Sequence, residues 1–292
     1  MSGQSTAYLY AIPTILIWAS VPVVIKSLQD SLNFLQIILF STLFAAVFFF
    51  MLILKTGKIP LLRKYSMRDY FLLSGMGFLG AFLQFVFLYG AIFYSTAQEA
   101  FIINYLWPIL VVLFAIPILK ERLSAAKLLG LLLAFAGLLV IITRGTLQIQ
   151  FTGLLGNVLA LLTALVVSLY FVLNKKFNYE KYTSLFVYYL VSFIFSLVIN
   201  LLFYPIPSLS LVQLATILWL GIFVNAMGYF FWFNALEKGD TAKISNLIYL
   251  TPFVSIVYIY FFLSEPILPS SVIGLLFIIG GIAVQQMRKA SG

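Results

Sequence analysis

Residues 91–137 read AIFYSTAQEAFIINYLWPILVVLFAIPILKERLSAAKLLGLLLAFAG, and residues 235–281 read ALEKGDTAKISNLIYLTPFVSIVYIYFFLSEPILPSSVIGLLFIIGG. The second is the first moved along by 144 residues, with no gap. Ala91 meets Ala235, Tyr105 meets Tyr249, Leu106 meets Leu250, Pro108 meets Pro252, Glu121 meets Glu265, Gly130 meets Gly274 and Gly137 meets Gly281. Coincidences of apolar residues carry little weight in so apolar a chain. One Pro, one Glu and two Gly coinciding at a single shift carry much more. The chain therefore reads as two related halves, 1–147 and 148–292.

Outward from the repeat, the whole chain is built of apolar stretches. Of its 292 residues 63% are hydrophobic and 9% charged, with a mean hydropathy of +1.12. A water-soluble domain carries about a quarter charged residues, enough to cover its surface; this chain cannot cover one. Continuous runs of about 20 apolar residues are the length of a membrane-spanning helix. The runs are not the short alternating segments of an outer-membrane barrel. Ten spans are expected, at about 8–25, 34–54, 70–93, 97–118, 125–143, 153–173, 184–204, 211–235, 243–263 and 270–287. The connections are too short for an additional soluble domain.

Charge orients these spans. Fifteen Lys and Arg residues fall in the loops and ends of one face, and only Lys26 and Arg144 fall on the other. Positive residues accumulate on the cytoplasmic side, so both termini are expected there, in the cytoplasmic membrane of a prokaryote. The +9 net charge divides into about +10 inside and −1 outside, which makes it a sign of orientation rather than of nucleic-acid binding. Five spans per half is an odd number, so the second half enters the membrane upside down relative to the first. Inverted repeats of this kind are a frequent architecture of secondary transporters.

There is no Cys and no His. Disulfides, thiol nucleophiles, Cys/His zinc sites, His-ligated haem and His acid–base chemistry are thereby excluded. No cofactor is expected, and no segment of the Gly-Lys-Ser/Thr phosphate-binding type points to ATP hydrolysis.

Trp18-Ala-Ser with Lys26 at the end of span 1, and the twice-repeated series from Ala91 through Pro108 and Glu121-Arg-Leu to Gly130 and Gly137, resemble the EamA-type branch of the drug/metabolite transporter superfamily. The resemblance covers nearly the whole chain. It implies ten helices, a central cavity open alternately to each side, and small organic substrates, commonly exported. A narrower resemblance, to the aromatic amino-acid exporter branch, rests on the pentapeptide Asn104-Tyr-Leu-Trp-Pro108.

Polar residues within apolar spans face other helices or a cavity, because facing lipid is costly. The candidates for a substrate cavity are Trp18, Gln84, Glu99, Asn104, Trp107, Asn225, Trp232, Ser245 and Tyr249. For each, the competing role is helix packing. Asn104 and Trp107 share a face of span 4, and Gln84 and Asn225 are bulkier and more polar than close packing needs. Glu99 begins span 4, where it suits a substrate ammonium, a proton, or the positive end of its own helix. Pro22, Pro108 and Pro252 lie inside spans, and each removes a backbone hydrogen bond, so three kinks are expected. Ser192, Ser196 and Asn200 of span 7 read as helix contacts, and Glu121 and Glu265 as loop-structuring groups.

The functional reading is a carrier that alternates access to a site near the midplane, formed mainly by spans 1, 3, 4, 6, 8 and 9. Its partners are the bilayer and a small-molecule substrate, with proton antiport and uniport both open, and it acts as a monomer or homodimer. Aromatic or neutral amino acids are the expected export cargo. No cation lies mid-span, which disfavours sugar phosphates. The alternatives are export of drugs or other metabolites on the same fold, a polytopic membrane enzyme, and a non-transporting membrane subunit. The enzyme reading lacks the interfacial His, Asp or Glu constellation such chemistry uses.

Overall fold

A computed structural model describes residues 3–120, 125–146, 153–239, 244 and 247–287. Every regular element among them is helical. In order they are α1 (Gly3–Ala19), α2 (Val21–Leu28), α3 (Phe34–Lys55), α4 (Ile59–Lys64), α5 (Met67–Tyr94), α6 (Ala97–Asn104) and α7 (Trp107–Leu119). These are followed by α8 (Ala125–Ile142), α9 (Leu154–Phe177), α10 (Lys181–Phe203), α11 (Leu211–Lys238), α12 (Thr251–Leu263) and α13 (Pro269–Met287). Among the described residues seven helical stretches are long and apolar enough to cross a bilayer: Ser5–Leu28, Phe34–Lys55, Met67–Tyr94, Ala97–Leu119, Leu154–Phe177, Lys181–Phe203 and Leu211–Lys238. Three shorter apolar helices, Leu128–Ile141, Ile248–Leu263 and Pro269–Val284, lie in the other expected stretches.

Helix starts are written into the sequence. Asn33 with Gln36, Ser66 with Asp69 and Ser210 with Gln213 form reciprocal capping boxes, which satisfy backbone N–H groups left free in the first turn. The last two pairs are counterparts at the 144-residue shift. Inside the spans, hydroxyls bond to the carbonyl one turn back: Thr42 to Ile38 at 2.7 Å, Thr163 to Leu159 at 2.9 Å and Ser196 to Ser192 at 2.8 Å. A hydroxyl surrounded by hydrocarbon has no water to bond to and takes a backbone acceptor instead. On the outside, Leu202, Phe261 and Phe262 are about seven-tenths exposed. That would be a liability in water; in lipid it carries no penalty.

The chain forms two compact units, Met1–Phe82 with Tyr179–Leu263, and Leu83–Asn178 with Ser264–Gly292. Each takes elements from both sequence halves. In the first, α1 packs along the second part of α11, and α3 lies against α10 and the first part of α11. In the second, α9 packs along the second part of α5 and along α7, and α8 crosses α13. That crossing explains the repeated glycines. A Cβ on Gly137 would stand 2.6 Å from the Gly274 carbonyl oxygen, and one on Gly281 would stand 2.5 Å from the Gly130 carbonyl oxygen. Small residues let two helix backbones touch where no hydrophobic force drives them together.

Candidate functional site

The repeated Pro positions coincide with repeated breaks. α6 ends at Asn104, Tyr105 and Leu106 leave helical register, and α7 resumes at Trp107 with Pro108 as its second residue. At the shifted position a 3₁₀ turn, Ile248–Leu250, leads into α12, whose second residue is Pro252. Pro22 likewise is the second residue of α2, after the interruption at Ser20. Pro108 offers no N–H to the carbonyl of Asn104, so that carbonyl loses its intrahelical partner.

A second repeated irregularity had no signal in the sequence reading. α5 contains a π turn at Phe78–Leu83 and α11 one at Trp219–Met227. Shifted by 144, the first falls inside the second. In the π turn of α11 the Gly228 N–H reaches back five residues to the Phe223 carbonyl. The Val224 carbonyl, which an α-helix would pair with Gly228, instead accepts the Trp18 indole N–H at 3.1 Å. π turns inside α-helices frequently mark functional sites.

Several polar atoms beside these irregularities are buried and unpartnered. In the second unit they include Gln84 Oε1 and Asn104 Oδ1; in the first, Asn225 Nδ2, Thr251 Oγ1 and Ser255 Oγ. Gln84, Asn104 and Asn225 are at most 8% exposed. An unsatisfied buried polar atom costs about 1–3 kcal/mol. The sequence reading singled out all three amides but missed Thr251 and Ser255. The signal for Thr251 was present, since it is the repeat counterpart of Trp107.

The tryptophan candidates are each packed against other rings within their own unit. Trp107 stacks obliquely on Phe171, ring centres 5.0 Å apart, and its carbonyl accepts from the Ser168 hydroxyl at 2.8 Å. Trp18 meets Tyr229 edge-on at 5.2 Å and Trp232 at 5.9 Å. Tyr249 lies half-buried in the 3₁₀ turn. Ser245 and Glu121 lie outside the described residues. The span 7 residues contact helices: Ser192 donates to the Ala81 carbonyl at 3.0 Å, and Asn200 to the Leu35 carbonyl at 3.1 Å.

Glu99 is buried in an ion pair. Its carboxylate accepts from Arg144 Nε at 2.8 Å, and Ser95 Oγ lies 3.3 Å from its other oxygen and 2.9 Å from Asn157 Oδ1. Glu265 accepts the Ala97 N–H at 3.2 Å, so the repeated Glu organises the start of α6. In the first unit a different polar network ties loops. Lys58 pairs with Glu180 at 2.6 Å and stands 4.4 Å over the Tyr182 ring, Tyr65 bonds Thr183 at 2.7 Å, and Tyr179 donates to Asp69 at 2.7 Å. Burial pushes the Glu180 carboxyl up, but the Lys58 ammonium and the Thr183 and Tyr182 N–H groups outweigh it and hold the pKa below its ordinary value. Burial and the Asp69 carboxylate push the Tyr179 hydroxyl up to about 12. Among the described residues no group of three or more His, Cys, Asp or Glu is placed to hold a metal.

Long apolar helices, broken at repeated positions, define a multi-pass membrane protein. The chain belongs to the EamA-like transporter family, whose model matches residues 5–143 and again 154–285. It is 27% identical over 296 residues to an uncharacterized transporter of Archaeoglobus fulgidus, covering 98% of this chain and 99% of that one. It is 31% identical to the uncharacterized transporter YyaM of Bacillus subtilis over 82% of this chain and 79% of that protein. It is 24% identical to the protein PecM of Dickeya dadantii over 72% of each. A solved crystal structure shares the fold, with a TM-score of 0.72 at 22% identity over 99% of both chains.

Proposed function

We propose that this member of the family is a ten-helix inverted-repeat carrier that exports neutral or zwitterionic small solutes, aromatic or neutral amino acids foremost, by alternating access across the cytoplasmic membrane. The observation that carries the substrate class is the character of the orphan groups. Within the second unit the oxygens of Gln84 and Asn104 take donors, and within the first the Asn225 amide N–H and the Thr251 and Ser255 hydroxyls offer them, so each unit carries uncharged polar groups suited to a neutral or zwitterionic solute. Against a phosphate, the Arg144 guanidinium is already paired with Glu99. The topology draws support from the ion pairs among the described residues. Lys58–Glu180 and Lys181–Glu237 join segments of the expected cytoplasmic face, and Arg144–Glu99 joins segments of the expected outer face.

Glu99 is engaged by Arg144 at 2.8 Å rather than left open to the solute, so carriage without a coupled proton is the simplest reading. The test is counterflow into proteoliposomes. Vesicles preloaded with unlabelled Trp, Phe, Leu or Ala are diluted into the labelled amino acid, with and without a pH gradient. Accumulation of label without a gradient, reduced about tenfold or more by Asn104→Ala, is expected. If no amino acid moves while a cationic dye or a sugar does, the cargo assignment fails and the drug or metabolite alternative replaces it.

A further inference from the structure

The contact between Trp18 and α11 does more than fill space. A π turn gives up the regular four-residue hydrogen bond at one place, and the carbonyl so released needs a donor from elsewhere. Here the Gly228 N–H bonds to Phe223, and the Trp18 indole N–H takes the Val224 carbonyl. The seat is made for that indole. A methyl on residue 228 would collide with the Trp18 ring nitrogen, so only Gly lets the ring in. Tyr229 and Trp232 close on the indole from two further positions of α11, and the Thr14 hydroxyl reaches the Gly228 carbonyl at 3.5 Å. The residue directly after the held carbonyl is Asn225, 2% exposed, whose amide nitrogen has no partner.

Removing the π turn would return the segment to α geometry. That means taking one residue out of the turn, and one residue is about 100° of helix rotation. The direction of the Asn225 amide therefore depends on whether the Val224 carbonyl stays held.

We propose that Trp18 is a positioning residue: its indole N–H holds the π turn of α11 open and thereby aims the Asn225 amide at the solute. The inference rests on the carrier reading for what Asn225 binds, but the hold on the π turn stands independently of it. Trp18 thus acts on the solute through Asn225 rather than by lining the cavity. The α5 turn has a hydroxyl at a comparable place, Ser192 on the Ala81 carbonyl. The residue 144 positions after Trp18 is Leu162, which has no donor.

The test separates the hold from the transport. Purified protein in lipid nanodiscs is compared with Trp18→Phe, which keeps a ring and removes the donor, and with Trp18 replaced by its benzothiophene isostere, which keeps the shape and removes only the N–H. Amide hydrogen exchange is read on residues 224–232. Both replacements are expected to raise exchange there by about tenfold or more while leaving α3 and α10 unchanged. If exchange over 224–232 stays at the native rate in the isostere, the hold does not exist and the proposal falls.

The second arm is transport kinetics in proteoliposomes. The isostere is expected to raise KM several-fold with little change in kcat, as is Asn225→Ala. Combining the two is expected to add nothing beyond Asn225→Ala alone. Fully additive losses would overturn the positioning role even where the exchange result stands. If the native protein moves no solute offered, the carrier reading fails, and the hold is decided by exchange alone.

Discussion

α5 and α11 are the same helix twice, and they are finished differently. Each opens with a capping box, Ser66 with Asp69 and Ser210 with Gln213, and each carries a π turn farther along, from Phe78 in α5 and from Trp219 in α11. Each also carries a glycine, Gly77 or Gly221, that lies against a neighbouring backbone, that of Tyr188 or Ser41. Past the π turn they diverge. α11 continues with Gly228, which admits an indole; α5 continues with Gln84, whose buried oxygen is unpartnered. Their entrances differ as well. The start of α5 lies under the Lys58–Glu180 and Tyr179–Asp69 contacts, whereas α11 is tied by an ion pair near its far end, Lys181 to Glu237 at 2.6 Å. The lesson is that a repeat conserves backbone devices, while the side chains that exploit them belong to each half separately.

The sharpest way to break the comparison is to exchange the residue after the π turn. Gly228→Ala overpacks the Trp18 seat and is expected to cost about 2–3 kcal/mol, read as a drop in the thermal midpoint in detergent. At the counterpart, Gln84→Ala removes an unpartnered polar group and is expected to leave stability unchanged or slightly raised while lowering counterflow. Equal losses at the two positions would erase the distinction.

Ser192→Ala removes the hydroxyl from the Ala81 carbonyl and is expected to cost about 1 kcal/mol, the usual net worth of one hydrogen bond. Fluorescence or scanning-calorimetry unfolding would read it. An effect as large as that of Gly228→Ala would make the two π turns equally dependent on their donors. The capping boxes should behave alike: Ser66→Ala and Ser210→Ala are each expected to cost about 1 kcal/mol. A larger loss at Ser66 would show that the loop network above α5 leans on its cap.

The smallest effect is electrostatic and concerns only the α5 side. The Glu180 carboxyl is held below its ordinary pKa in the folded protein. Its stabilising contribution is therefore complete above the ordinary carboxylate value and is lost as pH falls through the folded one. Unfolding midpoints followed from pH 7 into the acid range should fall less steeply in Glu180→Gln than in the native protein. Parallel curves would remove the ion pair from the account.

Much of this was legible beforehand, and the residues say why. Pro108 and Pro252 announced breaks because proline has no N–H to give, wherever it is placed. Gln84, Asn104 and Asn225 stood out because amides in hydrocarbon need partners. Glu99 was open to three readings, since its partner Arg144 lies 45 residues away and nothing local ties the two. The π turns left no local mark, because their sequences, FLGAFL and WLGIFVNAM, are as apolar and as helix-compatible as their neighbours. What reveals them is the backbone bond from Gly228 to Phe223 and the indole that makes it tolerable.

By itself the sequence determined that the chain is a bundle of apolar helices, that its later spans repeat at 144 residues, and where the prolines interrupt them. These are consequences of composition and of local backbone chemistry. Only the tertiary structure decided which polar groups stay unpartnered, which carboxylate is neutralised, and which carbonyl the Trp18 indole holds. Hydrogen-bond partners in an apolar interior come from helices far apart in the chain, and packing alone brings them within 3 Å or so of one another.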